Sequence, residues 1–340
     1  MLAFFAEYGM FLLKAATILI CILLVIGALV PRGKGGDIAA KGMLKVADLG
    51  ERMRNNAIDL SSVLLQGKEK KQFEKDCKKS HKDIASSPTG RVFVLNFKGD
   101  IQAKAASNLR EEVTAVLGIA NEKDEVLVNI ESAGGVVHGY GFAASQLDRI
   151  RKRGIPLTAA VDKVAASGGY MMACVADRII AAPFAILGSI GVVAQIPNFH
   201  RLLEKNDVDL ELHTAGAYKR TLTMFGENTD QGREKFVKDL EDTHVLFKDF
   251  VAEHRVDLDV EKVATGEIWF GRQAIEQGLV DEVMTSDEYL FDKAQKHEVF
   301  EIVFEPKKSL QEKLSKGVES SVDSLFDRTL EKLRSSRFFS

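Results

Sequence analysis

Residues 91–135, RVFVLNFKGDIQAKAASNLREEVTAVLGIANEKDEVLVNIESAGG, contain a strand–helix–strand unit that ends in a glycine-rich turn. The apolar runs 92–97 and 125–130 have the length and composition of buried strands, and 105–117 between them has helical spacing. Short strands that alternate with helices are typical of a parallel sheet with crossover helices. This stretch therefore predicts an α/β fold.

The same alternation continues on both sides of that unit. Further strands are predicted at 157–161, 178–182 and 210–214, and a second crossover helix at 136–152. Residues 47–82 are polar with helical spacing, and the turn signal SSPTG at 86–90 separates them from the first strand. No repeat with a period of 20 to 50 residues is visible, so a solenoid is not expected.

The composition excludes several classes of protein. The chain has 340 residues, of which 46% are hydrophobic and 28% are charged, which is ordinary for a globular protein and argues against disorder. The formal net charge of −3 gives no global positive field, so nucleic acid is not an expected partner. Cys21, Cys77 and Cys174 are far apart, and their spacing fits neither a disulfide framework nor a zinc site.

The N-terminal segment 10–30, MFLLKAATILICILLVIGALV, is apolar except for Lys14 and Thr17. As a helix it would be about 31 Å long, which matches the hydrocarbon core of a bilayer. A cleaved signal peptide is the main alternative, but a basic start and an A-x-A cleavage site are both missing; a buried soluble helix is a more distant one. We therefore expect an uncleaved single-pass anchor in the lipid bilayer.

The flanks of this segment bear on its orientation. Basic residues follow the span and none precedes it, so the positive-inside rule favours a cytoplasmic position for the rest of the chain. The expected organisation is an anchor at 1–31, a polar and mostly helical linker at 32–88, a catalytic domain at 89–290 and an extension at 291–340. Residues 310–339 have the spacing of an amphipathic helix, which is typical of a docking or oligomer face.

Two glycine-rich turns follow predicted strands, ESAGG at 131–135 and AASGGY at 165–170. Loops that leave the carboxyl ends of parallel strands face the same crevice, so we expect these turns to meet. Each turn opens a helix whose unpaired N–H groups could bind a developing oxyanion. Gly168 from one turn, with Gly134 or Gly135 from the other, are the candidate donors.

Ser167 begins the helix that follows the second turn, where its hydroxyl could be exposed as a nucleophile. The alternative is a serine that only caps the helix. A base is less obvious, because the seven histidines show no metal-ligand or triad spacing. Lys219, in the small-residue segment TAGAYKR at 214–220, is a candidate if its amine is held uncharged by burial. The alternative for Lys219 is an ordinary surface lysine.

Several motifs in order resemble the signal peptide peptidase A family of serine peptidases, and most closely its membrane-anchored SohB branch. These motifs begin at residues 131, 161, 188, 215 and 266, and they read ESAGG, VDKVAASGGY, GSIGV, AGAYKR and GEIWFGRQAIEQGLVDEV. The resemblance runs from the N-terminal segment to about residue 283. It implies a crotonase-like fold with repeated ββα-type units, which the family shares with the caseinolytic protease subunit.

The resemblance also implies roles for individual residues. By position, Ser167 is the nucleophile and Lys219 its general base, Ser189 orients the lysine amine, and Gly134 or Gly135 with Gly168 form the oxyanion hole. An acyl-enzyme mechanism of this kind needs no metal, cofactor or ATP. The family cuts extended peptides with apolar or small residues, such as signal-peptide remnants and membrane segments, and its members assemble into homo-oligomers.

The sequence leaves more than one interpretation of the localisation and of the activity. The resemblance implies a bacterial inner-membrane protein, but many relatives act on the outer face of that membrane, whereas the basic flank favours the cytoplasmic face. A crotonase-type acyl-CoA enzyme and a catalytically silent peptide-binding scaffold are rival functions. A dinucleotide binder is a weaker one, because the near G-x-G-x-x-A at 139–144 falls inside a predicted helix.

Overall fold

The computed structural model describes residues 9–10, 13–14, 17–18, 42–86 and 90–307. The chain divides into two compact units, Met43–Glu305 and Met1–Gly42 together with Pro306–Ser340. The first of these units extends across residues 88 and 290, where the sequence predicts domain boundaries. Those two boundaries stay predictions. Most of the expected anchor at 10–30, and the whole amphipathic segment 310–339, lie outside the described residues. Within the described ranges, no helix is long and apolar enough to cross a membrane.

Ten strands alternate with ten helices in the part from residue 42 to residue 306 that the structure describes. The strands are β1 (Gly42–Asp48), β2 (Arg91–Lys98), β3 (Glu125–Glu131), β4 (Leu157–Val161), β5 (Val164–Ala166), β6 (Arg178–Ala181), β7 (Ile186–Gly188), β8 (Ile268–Phe270), β9 (Glu282–Val283) and β10 (Glu298–Pro306). The helices are α1 (Leu49–Leu64), α2 (Gly67–Ala85), α3 (Ala106–Leu117), α4 (Val137–Arg151), α5 (Gly168–Ala173), α6 (His200–Lys205), α7 (Asp230–His254), α8 (Val260–Val263), α9 (Gly271–Ala274) and α10 (Ser286–Ala294).

Seven of the strands form one sheet in the order β1-β10-β2-β3-β4-β6-β9. The pairs β10/β2, β2/β3, β3/β4, β4/β6 and β6/β9 are all parallel. A second, three-stranded sheet has the order β5-β7-β8, in which β5/β7 is parallel and β7/β8 antiparallel. The mixed α/β architecture expected from the sequence is confirmed, and it is consistent with the crotonase-like fold that the resemblance implies.

The large sheet is covered on both faces, as a parallel sheet requires. On β2, Phe93, Leu95 and Phe97 pack with the core that α3, α4 and α5 share, while Val92 and Val94 pack with α1 and α10 on the other face. This alternation follows from the two-residue period of a strand. It explains why the strands read as continuous apolar runs in the sequence.

The structure corrects two expectations about secondary structure. Residues 210–214 form no strand: they are irregular and exposed, and Leu210 and Leu212 do not join the buried core of the described residues. The polar helix expected from residue 47 begins later, because 42–48 form β1 at the edge of the sheet. Asp48 ends that strand and caps α1, since its carboxylate accepts a hydrogen bond from the Glu51 N–H at 2.7 Å.

Glu112 on α3 is a buried carboxyl with a single backbone partner, the Phe304 N–H of β10 at 2.8 Å. Burial raises its pKa from the ordinary value of 4.5 to about 7, and the Phe304 hydrogen bond only partly offsets that rise. The folded state therefore holds a proton that the unfolded state releases. Stability should fall as pH rises from about 4.5 through about 7.

We expect Glu112→Gln to remove this pH dependence, because the amide oxygen still accepts from Phe304 and carries no charge. At pH 8 the variant should be more stable than the parent protein by up to about 3 kcal/mol, since one pKa unit corresponds to about 1.4 kcal/mol. At pH 4.5 the two should be alike. Denaturant unfolding at both pH values measures this, with the exposed Glu122→Gln as control. Equal stabilities at pH 8 would contradict the prediction.

Candidate active site

Ser167 lies at the sharp turn between β5 and α5. Its backbone has φ 51° and ψ −118°, a conformation that residues other than glycine rarely adopt. Its N–H donates to the Gly188 carbonyl at 2.8 Å, which fixes the turn against β7. The side chain makes no capping hydrogen bond, so Ser167 is not a capping serine of α5. The residue is half-buried.

The two glycine-rich turns meet at Ser167, as the parallel sheet led us to expect. A Cβ placed on Gly134 would lie 2.7 Å from the Ser167 Cβ and 2.8 Å from the Gly168 backbone nitrogen. Gly134 also has φ +90°, which favours glycine. The turns are joined again two residues earlier on each side, where Ser132 bridges Ala165 and the Ser132 carbonyl accepts from the Ala166 N–H at 3.0 Å.

The three candidate oxyanion glycines differ in how their N–H groups are used. The Gly134 N–H donates to the Ser132 hydroxyl at 3.0 Å. No acceptor is found for the N–H groups of Gly135 and Gly168 anywhere in the described part of the chain. Donors without partners beside an activated hydroxyl are what an oxyanion hole requires.

Ser189 lies on the turn that follows β7, beside the Ser167 turn. In the β5/β7 register Ala166 pairs with Gly188. Ser167 directly follows Ala166, and Ser189 directly follows Gly188. Ser189 is half-buried with φ 49°, and its N–H donates to the Glu267 carbonyl at 2.6 Å. The structure therefore brings Ser167, Ser189 and the two glycine turns together.

The contacts found among the described residues do not link Lys219 to this cluster. Lys219 lies in the exposed segment 208–220, and its N–H donates to the Gly216 carbonyl at 3.2 Å within the same loop. Among the described residues, no hydrogen bond or ion pair joins its amine to Ser167 or Ser189. Exposed apolar side chains surround it in the sequence: Leu202, Val208, Leu210, Leu212, Tyr218, Met224 and Phe225.

Two histidines hydrogen-bond to backbone carbonyls away from the Ser167 turn in the chain. His254 donates through Nδ1 to the Phe250 carbonyl at 2.8 Å, and His297 donates through Nδ1 to the Gly90 carbonyl at 2.9 Å. No group of three potential metal-ligating side chains occurs in the residues that the structure describes. The near G-x-G-x-x-A lies inside α4, which removes the strand-to-helix turn that a dinucleotide site needs.

Sequence reasoning missed a buried polar network beside the glycine turns. The Ser132 hydroxyl lies 2.5 Å from the Tyr140 hydroxyl, which donates to the Asp100 carbonyl at 2.9 Å. The signal available in the sequence was Ser132 itself, one residue after the end of β3 and inside ESAGG. Its partner Tyr140 lies on a predicted helix and has a mostly apolar side chain. The sequence therefore did not indicate that its hydroxyl would join a hydrogen-bond network.

Comparisons with known proteins agree with these motifs. Residues 3–147 match the model of the peptidase family S49 N-terminal region, and residues 149–299 match that of peptidase family S49. The "Probable protease SohB" of Haemophilus influenzae is 48% identical over 94% of this chain and 95% of its own length. The protein of the same name from Buchnera aphidicola subsp. Acyrthosiphon pisum is 56% identical over 67% of this chain and 68% of its own length.

Solved structures of one protease are also similar, and it is described as the 1510-N membrane-bound stomatin-specific protease. A serine-to-alanine mutant shares 13% identity, with 61% of this chain and 86% of that chain covered and a TM-score of 0.42. A lysine-to-alanine mutant in complex with a substrate peptide shares 14%, with 68% and 99% covered and a TM-score of 0.44. From the family matches and the full-length relative, the chain belongs to peptidase family S49 and to its SohB branch.

Proposed function

We propose that this chain is a membrane-anchored serine endopeptidase that cuts extended apolar peptides with a Ser–Lys dyad. The observation that carries the proposal is the turn at Ser167, which has positive φ, leaves the hydroxyl unused as a cap and packs directly against Gly134. A strained residue held by its surroundings is a common feature of catalytic sites. Membership of a peptidase family supports peptide bonds as the substrate.

In this mechanism the Ser167 hydroxyl attacks the carbonyl carbon of the scissile peptide bond while the uncharged amine of Lys219 takes its proton. The oxyanion accepts hydrogen bonds from the Gly168 N–H and from the turn formed by Gly134 and Gly135. As the intermediate collapses, the protonated Lys219 returns the proton to the leaving amine. Water then attacks the acyl-enzyme by the reverse sequence and releases Ser167.

A lysine amine can act as a general base when burial shields it from water. We propose that a second copy of the chain covers the apolar side chains around Lys219 and that Ser189 then orients its amine. The exposure of Leu210, Leu212, Met224 and Phe225 supports this, since contiguous exposed apolar surface favours association. The base can serve the same chain or its neighbour in such an assembly.

Membrane anchoring through residues 10–30 is part of the proposal and rests on the sequence. An anchored peptidase would meet apolar segments released from the bilayer, which are the substrates that the family resemblance implies. The basic flank favours the cytoplasmic face of a bacterial inner membrane. The chain contains no Walker A pattern, which supports activity without ATP.

The test is hydrolysis of apolar peptides by the purified full-length protein, combined with labelling by a fluorophosphonate probe. The proposal expects turnover and a covalent adduct on Ser167. Acyl-CoA turnover that survives Ser167→Ala would instead favour a crotonase-type enzyme. Peptide binding without turnover or labelling would favour a silent scaffold.

Gly134→Ala should lower peptide turnover by about 100-fold or more, because a methyl group there collides with Ser167 and with the Gly168 nitrogen. A displacement of about 1 Å at a reacting group has effects of this size. Gly141→Ala on α4 is the matched control: nothing lies within 4 Å of a Cβ at that position, and alanine favours a helix. Steady-state kinetics of both variants measure the difference. Near-native turnover by Gly134→Ala would contradict the proposed site.

A further inference from the structure

Tyr140 is a fully buried side chain on the first turn of α4 that contacts both glycine-rich turns. Its ring and its hydroxyl reach different loops. None of the sequence motifs or family matches assigns it a role. Its contacts make it a candidate for setting how the two turns lie against each other.

The ring of Tyr140 packs on the backbone of Gly168. A Cβ on Gly168 would lie 2.4 Å from the Tyr140 Cγ, so the ring occupies the space that any side chain at residue 168 would need. On another side the ring meets Phe97 edge to face, with the ring centroids 6.1 Å apart. The ring therefore gives the Gly168 turn a fixed surface to lie on.

The hydroxyl of Tyr140 reaches the other turn through Ser132. Tyr140 donates its proton to the Asp100 carbonyl at 2.9 Å, so in the 2.5 Å contact with Ser132 the serine must be the donor. The lone pairs of Ser132 are then free to accept the Gly134 N–H at 3.0 Å. The result is one directed chain, from Gly134 through Ser132 and Tyr140 to the Asp100 carbonyl.

Two features support this hydrogen-bond chain, one its direction and the other the space that it occupies. Burial raises the pKa of Tyr140, which keeps its hydroxyl protonated at neutral pH, so it can donate. Gly99 makes room for the chain, because a Cβ on Gly99 would lie within 2.4 Å of the Tyr140 hydroxyl and 2.5 Å of the Ser132 hydroxyl. The fold thus keeps a glycine where this network runs and another where the ring packs.

We propose that Tyr140 is a positioning residue that holds the Gly134 turn and the Gly168 turn in register around Ser167. This inference rests on the proposed function, since it assigns the two turns to the oxyanion hole. Tyr140 acts through Ser132 on one side and through van der Waals contact on the other.

The test compares Tyr140→Phe with Tyr289→Phe in the full-length protein. Tyr289 on α10 is a buried tyrosine outside both glycine-rich turns, and its hydroxyl donates to the Glu125 carboxylate. Both variants lose one buried hydroxyl and leave its acceptor without that donor, so both should lose some stability. Only Tyr140→Phe should lower kcat, by about tenfold, with KM changed less than about twofold, because the loss falls on transition-state binding.

Ser132→Ala provides a second measurement, since it interrupts the same chain at its other hydroxyl. The double variant Ser132→Ala with Tyr140→Phe should lose little more kcat than the more damaged single variant, because residues in one network are not additive. Additive losses would overturn the inference. So would a Tyr140→Phe kcat within about twofold of the parent value, or equal kcat losses in the two tyrosine variants.

The parent protein separates this inference from the function on which it rests. If the parent protein neither hydrolyses peptides nor reacts with a fluorophosphonate, the proposed function and the inference fall together. If the parent protein is active and Tyr140→Phe matches it, only the inference falls.

Discussion

Ser167→Ala is expected to lower peptide turnover by at least about 10³-fold while leaving the fold intact. The substitution removes the atom that forms the acyl-enzyme, so the covalent route is closed. The turn itself should persist, because it is held by the Gly188 carbonyl and by packing on Gly134 and involves no hydrogen bond to the hydroxyl. Peptide hydrolysis and fluorophosphonate labelling measure the loss, and thermal unfolding checks the fold.

Ser145→Ala is the control for this variant. Ser145 is an exposed serine on α4 whose hydroxyl donates to the Phe142 carbonyl within the same helix. It should keep full turnover and full labelling. If Ser167→Ala retained near-native hydrolysis, Ser167 would not be the nucleophile.

Lys219→Ala should lower turnover by a similar factor, about 10³-fold, because the Ser167 hydroxyl is then left without a base to take its proton. Labelling of Ser167 by a fluorophosphonate should slow in parallel, since that reaction also needs an activated hydroxyl. The effect should fall on kcat, because the peptide can still bind. Steady-state kinetics and the labelling rate measure both.

Lys205→Ala is the matched control, as Lys205 ends α6 in the same exposed region of the chain. Full activity is expected from it. Equal activity of Lys219→Ala and the parent protein would rule out the dyad. Mixing Lys219→Ala with Ser167→Ala tests how the base is supplied: recovered turnover means that it crosses between copies, and no recovery means that it acts within one chain.

The large sheet was predictable because its strands are buried on both faces. Residues 92–97, 125–130, 157–161 and 178–182 are mostly apolar, and the structure confirms a strand in each of the four segments. The small sheet was not predictable. Its strands have three residues each, and β5 continues almost directly from β4, so no periodicity could develop in the sequence.

The nucleophile side of the candidate site was predictable for a related reason. Glycine-rich turns after parallel strands are expected to face one edge of a sheet. Ser167 in fact follows β5 of the small sheet, and the bridge between Ser132 and Ala165 brings its turn to that of Gly134. Lys219 is in a segment with no regular partner, and the neighbouring strand expected at 210–214 is absent. A position that depends on contacts outside the local fold leaves no periodic pattern in the sequence. The role of the Lys219 amine as the general base therefore stays a prediction.

The strained backbone at Ser167 has a consequence for how such a molecule could change its role over evolutionary time. Contacts with Gly134, Gly188 and the surrounding core hold the strained backbone of this turn in place, whichever side chain occupies residue 167. If Ser167 is the nucleophile that we propose, loss of its single hydroxyl oxygen would end bond cleavage and leave the crevice in the same shape. A lineage with this architecture could therefore pass from cutting polypeptides to merely holding them without rebuilding its scaffold.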